Sequence, residues 1–565
     1  MAIPNAYQKV PLTFRAQTTG RCQVARIIDG ETDAVLWADE WTSQADEYPD
    51  RAETNAQGGV QTQDCTIAWR LLTNSGLNDS VILPVLGAKG IPFFPGSSMK
   101  GLFRRACTEA QADRYCGKVT DDRDCQPGIL RFQGGYPIGD WTENLVDVVH
   151  PQQQGQVKGQ KEGGAFPLIS LYKPTLRFGI SSSESLGEAD WAEIWGIWQR
   201  ALATGIGSRV SAGYGQVATS QPPVLFKAKL TGQGQAPKLL TGEGEFRPNM
   251  IRAAIRGHAL RLFGGLTTAD RAERLVEELF GGISQGGGTI GLLGLKFVES
   301  KLVEGEFPIG SPYAQPYYKV EGELTWYLAR KLEDAAQKAA LEKLVTVLMQ
   351  FALVFGGFGK SWRRADHRLF FEDYYEDFCK ALIGCHWFWQ GTPSLTRHGR
   401  KVRNPQHIRP FLAEVQRVAL EWMGLRGVQP GGLAQGWREA WHPSRVQVWG
   451  RVAEGREDSE AIYWFHGPYR NAQPNICREG TIYQTDFPGR VNRVGRVWHR
   501  MYPLVTLKPD PKNPDRNLAN LRANPRFLEL LTIFPDGSGV CAEFLEFLGT
   551  NPAGFDRLWG GVGLC

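Results

Sequence analysis

Gly90-Ile91-Pro92-Phe93-Phe94-Pro95-Gly96-Ser97-Ser98-Met99-Lys100-Gly101-Leu102-Phe103-Arg104-Arg105 is the stretch from which the fold can be read. Two prolines and a glycine set an extended entry, Ser97 and Ser98 are N-cap candidates, and a helix bearing Lys100, Arg104 and Arg105 follows. Free amides, the positive dipole end, two hydroxyls and several cations at one helix start favour phosphate. A capped surface helix would use the same residues, so the rest of the chain has to decide.

A chain of 565 residues is too long for one core and, at about 150 residues per domain, should hold two to four. Charged residues at 22% and hydrophobic ones at 42% describe a folded, water-soluble protein. The formal net charge is only +5, so a nucleic-acid footprint would have to come from local clusters of Arg and Lys. Residues 1–7 have no basic segment leading into an apolar run, which predicts no export signal and a cytoplasmic protein. The longest apolar run, residues 344–358, is broken by Gln350 and falls short of the roughly 20 residues a membrane span needs. It predicts a buried helix. Among the ten cysteines, Cys107, Cys116 and Cys125 are evenly spaced; a structural zinc site is an open reading of them that no CxxC pair supports.

Strand alternation is expected in residues 10–41 and 66–72, separated by a polar loop over 42–63, and Asn78-Asp79-Ser80 forms a turn ahead of the opening stretch. Residues 117–155 read as irregular, and 152–164 as a long glycine- and Gln-rich loop. After a strand at 175–180, Asp190 is expected to cap a helix whose Trp191, Trp195 and Trp198 form a core-facing stripe. The helix runs into a glycine loop at 204–215. The order then repeats: a strand at 224–230, a helix started by Asn249 with Arg252, Arg256 and Arg261, a strand at 322–329, an apolar helix at 333–353, and a basic glycine loop at 355–364. This predicts a duplicated α+β unit. Residues 366–565 add a helix at 409–423, Trp-bearing strands at 446–452 and 461–465, and a helix near 541–548, but no motif.

Gly359-Lys360-Ser361 has the ending of a nucleotide-binding loop, but the required first glycine is Val354, so an ATPase is excluded on spacing. A loop with Lys360, Arg363, Arg364, His367 and Trp362 instead fits an RNA backbone, because cations take phosphates and an aromatic can stack on an unpaired base. A helix C-cap with solvated basic residues is the alternative for either loop alone.

Residues 91–104, Ile-Pro-x-x-Pro-Gly-Ser-Ser-Met-Lys-Gly-Leu-Phe-Arg, resemble the signature of the repeat-associated RAMP superfamily, and 207–215, Gly-Ser-Arg-Val-Ser-Ala-Gly-Tyr-Gly, resemble its glycine-rich loop. Within it the likeness is to the Cas-seven-like backbone subunits of type III CRISPR effector complexes, and the duplication resembles the fused double-backbone proteins of the type III-D branch. The likeness is specific over 66–110 and 200–217, degenerate over 246–264 and 354–364, and absent beyond about residue 370. It implies an α+β fold of two tandem ferredoxin-like (RRM-like) domains with inserted thumb loops. The first would span 1–220 and the core of the second 221–370, with 371–565 a C-terminal part or insertion of the second domain, of unassigned role. The implied partners are a CRISPR guide RNA, a complementary target RNA, the large signature subunit and other backbone subunits. Implied RNA contacts are Ser97, Ser98, Lys100, Arg104, Arg105, Ser208, Arg209 and Tyr214 in the first half, and Arg247, Asn249, Arg252, Arg256, Lys360, Trp362, Arg363 and Arg364 in the second.

The same resemblance places a catalytic aspartate in the loop before Pro-Gly-Ser-Ser, where this chain has Asp79. Its implied role is to help deprotonate the target's 2′-hydroxyl for attack on the adjacent phosphate, assisted by Mg2+ or another divalent cation, leaving a 2′,3′-cyclic phosphate and a 5′-hydroxyl. An exposed Asp, with a pKa near 4, is a weak base, so in-line strain of the RNA would matter more. Asn-Asp-Ser is also ordinary turn composition, and Asp64, Asp46 and Asp50 are the fallback bases. The second half has only Glu243 and Glu245 between Leu230 and Phe246, which predicts a repeat that binds RNA without cutting it. A non-catalytic scaffold and a guide-processing endonuclease of the same superfamily remain the alternatives; histidine usually serves the latter, and none flanks the first glycine loop.

Overall fold

Three times along the chain the order strand, helix, strand, strand, helix, strand recurs, and the strands lie side by side in the spatial order fourth, first, third, second. The computed structural model describes residues 59–73, 77–78, 81–87, 91–119, 125–149, 153–160, 166–239, 242–284, 287–309, 312–375, 380–390, 402–466, 482–489, 493–504, 506–510, 513–520 and 525–561. The strands expected in 10–41 lie outside these residues.

The first unit consists of β1 (Gln61–Thr66), α1 (Gly96–Ala106), β2 (Leu130–Ile138), β3 (Thr175–Ser182) and α2 (Glu188–Ala201). β3 lies antiparallel between β1 and β2, and the fourth strand is reduced to a single bridge between Ile67 and Val217. Leu176, Phe178 and Ile180 alternate inward on β3 and meet Ile194, Ile197 and Trp198 of α2. This is the core face the tryptophan stripe predicts. Asp190 is not the cap: Gly187 holds that position, and Asp190, in the first turn, accepts its N–H at 3.2 Å. β1 begins inside the stretch expected to be loop, and β2 lies inside the stretch expected to be irregular. Its Gly134, Gly135 and Pro137 hide its alternation.

The second unit runs β4 (Val224–Gln235), α3 (Asn249–Gly264), β5 (Leu293–Phe307), β6 (Gln315–Leu328), α4 (Ala335–Phe355) and β7 (Cys385–Trp389). All its strand pairs are antiparallel, in the order β5-β6-β4-β7. Asp334 caps α4 by accepting from Ala336 N at 2.8 Å and Gln337 N at 3.3 Å. From Leu344 on, most of α4 is buried, each large side chain contributing about 1.5–3 kcal/mol. Among the described residues no helix is long and apolar enough to cross a membrane. Because β7 completes this sheet, the second unit extends past residue 370.

Beyond it, α5 (Ile408–Leu425) packs on α4, with Phe355 stacked on Phe411 at 6.3 Å. The third unit follows: β8 (Gln447–Ala453), α6 (Glu460–Phe465), β9 (Val497–Pro503), β10 (Phe527–Ile533), α7 (Gly539–Gly549) and β11 (Asp556–Gly560), in the antiparallel order β9-β10-β8-β11. Residues 461–465, expected as a strand, form α6 because the Ser459 hydroxyl caps Ile462 N at 3.2 Å and turns the chain. The second and third units share one apolar core through Phe351, Trp441, Trp498 and Trp559, whereas the first has its own.

Candidate nucleic-acid interface

α1 starts against the edge of β2. Phe94 and Gly135 exchange backbone hydrogen bonds at 2.8 and 2.9 Å, and a Cβ on Gly96 would fall 2.1 Å from the Phe132 carbonyl oxygen. Only glycine lets the helix begin there. Pro95 is the N-cap and makes no side-chain cap bond, so Ser97 and Ser98 are first-turn residues rather than caps. Met99 and Phe103 are buried, which turns Ser97, Ser98, Lys100, Arg104 and Arg105 outward, all exposed. The first turn has no acidic residue, and its amides lack intrahelical acceptors. Arg104 donates to the Gly117 carbonyl at 2.6 Å, while Lys100 and Arg105 have no ion-pair partner among the described residues.

The first glycine loop folds back on the strand that precedes the Asp79 region. Ser208 N donates to the Leu72 carbonyl at 2.8 Å, and Gly215 N to that of Arg70 at 2.6 Å. Gly215 has φ +60°, and a Cβ there would lie 1.8 Å from the Ile206 carbonyl oxygen. Asp79 lies outside the described residues, between Asn78 and Val81, which pair with each other. Asp46 and Asp50 lie outside them too. Asp64 is described and exposed, but receives Arg177 at 2.8 and 2.9 Å, a hydrogen-bonded pairing that holds its carboxyl below the usual range.

Ser208 and Arg209 are half-buried. Tyr214 is buried and belongs to a polar knot between the first two units. Its hydroxyl donates to Asp147 Oδ2 at 2.8 Å, and Arg247 reaches Asp147 Oδ1 at 2.5 Å. Arg70 pairs bidentately with Glu245, which also accepts from Trp69 Nε1 at 3.1 Å. Burial pushes the Asp147 carboxyl up, but the Arg247 and Arg70 guanidiniums outweigh it and hold the group ionised. Tyr214 and Arg247 are thus taken by protein partners and present no surface to RNA, a correction to both expectations. Glu245, at the place where the first half carries Asp79, is tied to Arg70.

The second half departs further. Pro248, not Asn249, is the N-cap of α3. Arg252 donates to the Phe280 carbonyl, Arg256 to Gln154 Oε1 at 3.1 Å, and both are half-buried. Trp362 is buried between the guanidiniums of Arg261 and Arg363, at 5.1 and 4.6 Å, with Trp498 edge-on at 4.8 Å. No base can stack on it there. Arg363 meets Glu439 at 2.9 Å, and Arg261 meets the same carboxylate at 2.6 Å. Arg364 donates to the carbonyls of Val497 and Pro488 in the third unit, and burial lowers its pKa to about 9. Of this loop only Lys360 is exposed. The expected second RNA-binding loop is therefore the joint between the second and third units. In the sequence an arginine that meets phosphate and one that meets a distant carboxylate look alike.

Among the described residues no three His, Cys, Asp or Glu converge as a metal site. Cys107 is half-buried and Cys116 buried, and burial pushes the Cys107 thiol up to about 11. The Cys125 side chain lies outside the described residues.

No protein-family model matches the chain, and no curated protein does. Among solved structures, a chain of a type IV-B CRISPR complex resembles it at 16% identity and TM-score 0.21, over 28% of this chain and 88% of that one. A chain of a type III-B Cmr-beta complex bound to cognate target RNA resembles it at 10% identity and TM-score 0.27, over 57% of this chain and 99% of the other. Another, from the same kind of complex with AMPPnP, does so at 11% identity and TM-score 0.25, over 58% and 99%.

Proposed function

We propose that the chain is a guide-RNA-binding backbone subunit of a type III CRISPR effector complex that cuts guide-paired target RNA once, at Asp79. The observation that carries this reading is the α1 start. The motif that resembles the RAMP signature is built as an anion site, its glycine pressed on β2 and its hydroxyls and cations free to solvent. The three units are ferredoxin-like (RRM-like) in this reading, because β-α-β-β-α-β with strands ordered 4-1-3-2 is that topology.

The interface consists of Ser97, Ser98, Lys100, Arg104 and Arg105, continued by Ser208 and Arg209, with Lys360 the exposed remainder of the second half. In sequence Asp79 follows the segment whose Leu72 carbonyl anchors the glycine loop, and in this reading it takes the 2′-hydroxyl proton of the target strand. Attack on the adjacent phosphate then expels the 5′-oxygen and leaves a 2′,3′-cyclic phosphate. A divalent cation would reduce the charge on that phosphate; no cluster among the described residues is assigned to hold it. The second unit does not cut in this reading: no aspartate lies between Leu230 and Phe246, and of the two glutamates there Glu245 is taken by Arg70.

The test is a complex purified with its guide, given end-labelled complementary RNA and Mg2+, comparing wild type and Asp79→Ala on a sequencing gel. Loss of one cut with guide and target binding unchanged is the expected result. An unaltered pattern would leave a binding-only scaffold.

A further inference from the structure

The outer face of the second sheet carries a cavity of about 310 Å³ that the RNA-binding reading does not use. It lies where the linker from the first unit crosses β4, β6 and β5. The register sets Lys227, Thr325 and Lys296 in one cross-strand row, and Lys229, Glu323 and Val298 in the next. Ser220 and Gln221 of the linker, with Gln390, close the sides.

Lys296 is only 4% exposed, yet among the described residues its ammonium faces no carboxylate at ion-pair distance. It donates to the carbonyls of Ala218 and Ser220, at 3.0 and 2.6 Å, and to the Ser220 hydroxyl at 3.2 Å. Those three bonds use all its N–H donors, so what Lys296 brings to the cavity is an uncompensated positive charge rather than a free hydrogen bond, and a buried charge of that kind is stabilised by an anion held nearby. The two carboxylates on the cavity wall are already engaged, Glu323 by Lys227 at 2.7 Å and Glu299 by Lys173. Lys229 is exposed and has no ion-pair partner among the described residues. The cavity therefore keeps positive charge in excess, surrounded by hydroxyl and amide groups and by no aromatic ring. That lining recognises a phosphate and its sugar, and gives a base nothing to stack on.

We propose that this cavity is a phosphate-binding site, with Lys296 as its buried cation and Lys229 and Thr325 as direct contacts. The phosphate belongs either to a free nucleotide or to the backbone of an RNA strand lying on the sheet, and the volume admits one nucleotide unit. Burial has lowered the Lys296 pKa to about 8, Glu323 raising it and Lys227 lowering it, so a bound phosphate has a readout in that amine.

The experiment titrates the full chain with inorganic phosphate, with 5′-AMP and with a short single-stranded RNA by calorimetry, for wild type, Lys229→Ala and Lys296→Met. In parallel, lysine amines labelled by reductive 13C-methylation are followed by NMR against pH. The expected result is saturable binding that weakens about tenfold in Lys229→Ala, the magnitude of one charged hydrogen bond, and weakens also in Lys296→Met through the lost charge, with a Lys296 pKa that rises when phosphate is added. Loss confined to RNA makes the source a backbone phosphodiester; loss with AMP as well makes it a free nucleotide. Lys229→Ala changes an exposed side chain and serves if Lys296→Met fails to fold. Affinities unchanged in Lys229→Ala, or a Lys296 amine indifferent to phosphate, overturn the proposal. The Lys296 amine reports this cavity and neither Asp79 nor α1, neither of which lines it, so the cavity and the guide-RNA reading fail separately.

Discussion

Lys100, Arg105, Arg247 and Arg364 look equivalent as letters, and the fold sends them to opposite fates. Two stand on the exposed face of α1, and two are sealed into joints where carboxylates or carbonyls from far along the chain meet them. The difference was not legible because the partners, Asp147 for Arg247 and Val497 for Arg364, are remote in sequence. It makes a paired prediction. Glu245→Gln leaves the two buried guanidiniums of Arg70 and Arg247 sharing the single carboxylate of Asp147 and should cost about 3–5 kcal/mol of stability by chemical denaturation. Arg105→Ala should change stability by less than about 0.5 kcal/mol. It should also lower RNA affinity evenly across sequences and reduce the salt slope of binding by about one. An Arg105→Ala protein that binds RNA like wild type at every salt concentration would remove α1 from the interface.

Helices were legible as elements: α2, α4 and α5 show apolar spacing and stand within a few residues of where periodicity puts them. The second strands of the first two units were not. β2 hides behind Gly-Gly and Pro, and β5 is charged along its outer half, because an edge strand has one flank in solvent and loses the alternation that marks a central one. The junction of α1 and β2 tests how tightly these elements are matched. Gly96→Val places atoms on the Phe132 carbonyl and should cost about 1–3 kcal/mol by overpacking, shifting the exposed serines with the helix. Gly101→Ala, where nothing lies within 4 Å, should stabilise by roughly 0.5–1 kcal/mol. Equal melting temperatures for the two variants would mean that the helix start is not seated on β2.

At the scale of the molecule, the duplication could be read because two basic helix starts and two glycine loops recur, while the third unit has neither and announced itself only through strand order. The joint between the second and third units buries histidines. Burial, with nearby arginines, holds His258 and His466 well below the ordinary 6.5, and takes His367 and His386 to about 3; His499 is lowered too, despite Glu529 at 3.0 Å. These groups are neutral when folded and free to protonate when unfolded, so their stability is present above pH 6.5 and is lost as pH falls below it. The slope is roughly 1.4 kcal/mol per pH unit for each histidine that stays neutral. Melting followed from pH 8 to pH 5 should show a steep fall below 6.5; a flat profile would mean that the histidines protonate in place.

In both joints the glycine loop of one unit is held by the next. The first loop takes Tyr327 of β6 on its Thr204 and Val210 carbonyls, each at 3.2 Å, and the second is gripped by β9. On a ribosome this imposes a delay. The first loop can rest on its own unit's Arg70 and Leu72 carbonyls, but its Tyr327 bonds cannot close until roughly a hundred more residues have emerged, on the order of 10 s at ordinary elongation rates. During that time the buried arginines of the knot are exposed and free to meet the wrong anion. A nascent chain stalled before Tyr327 should therefore be cut by protease at the first loop, and one released just past β6 should not.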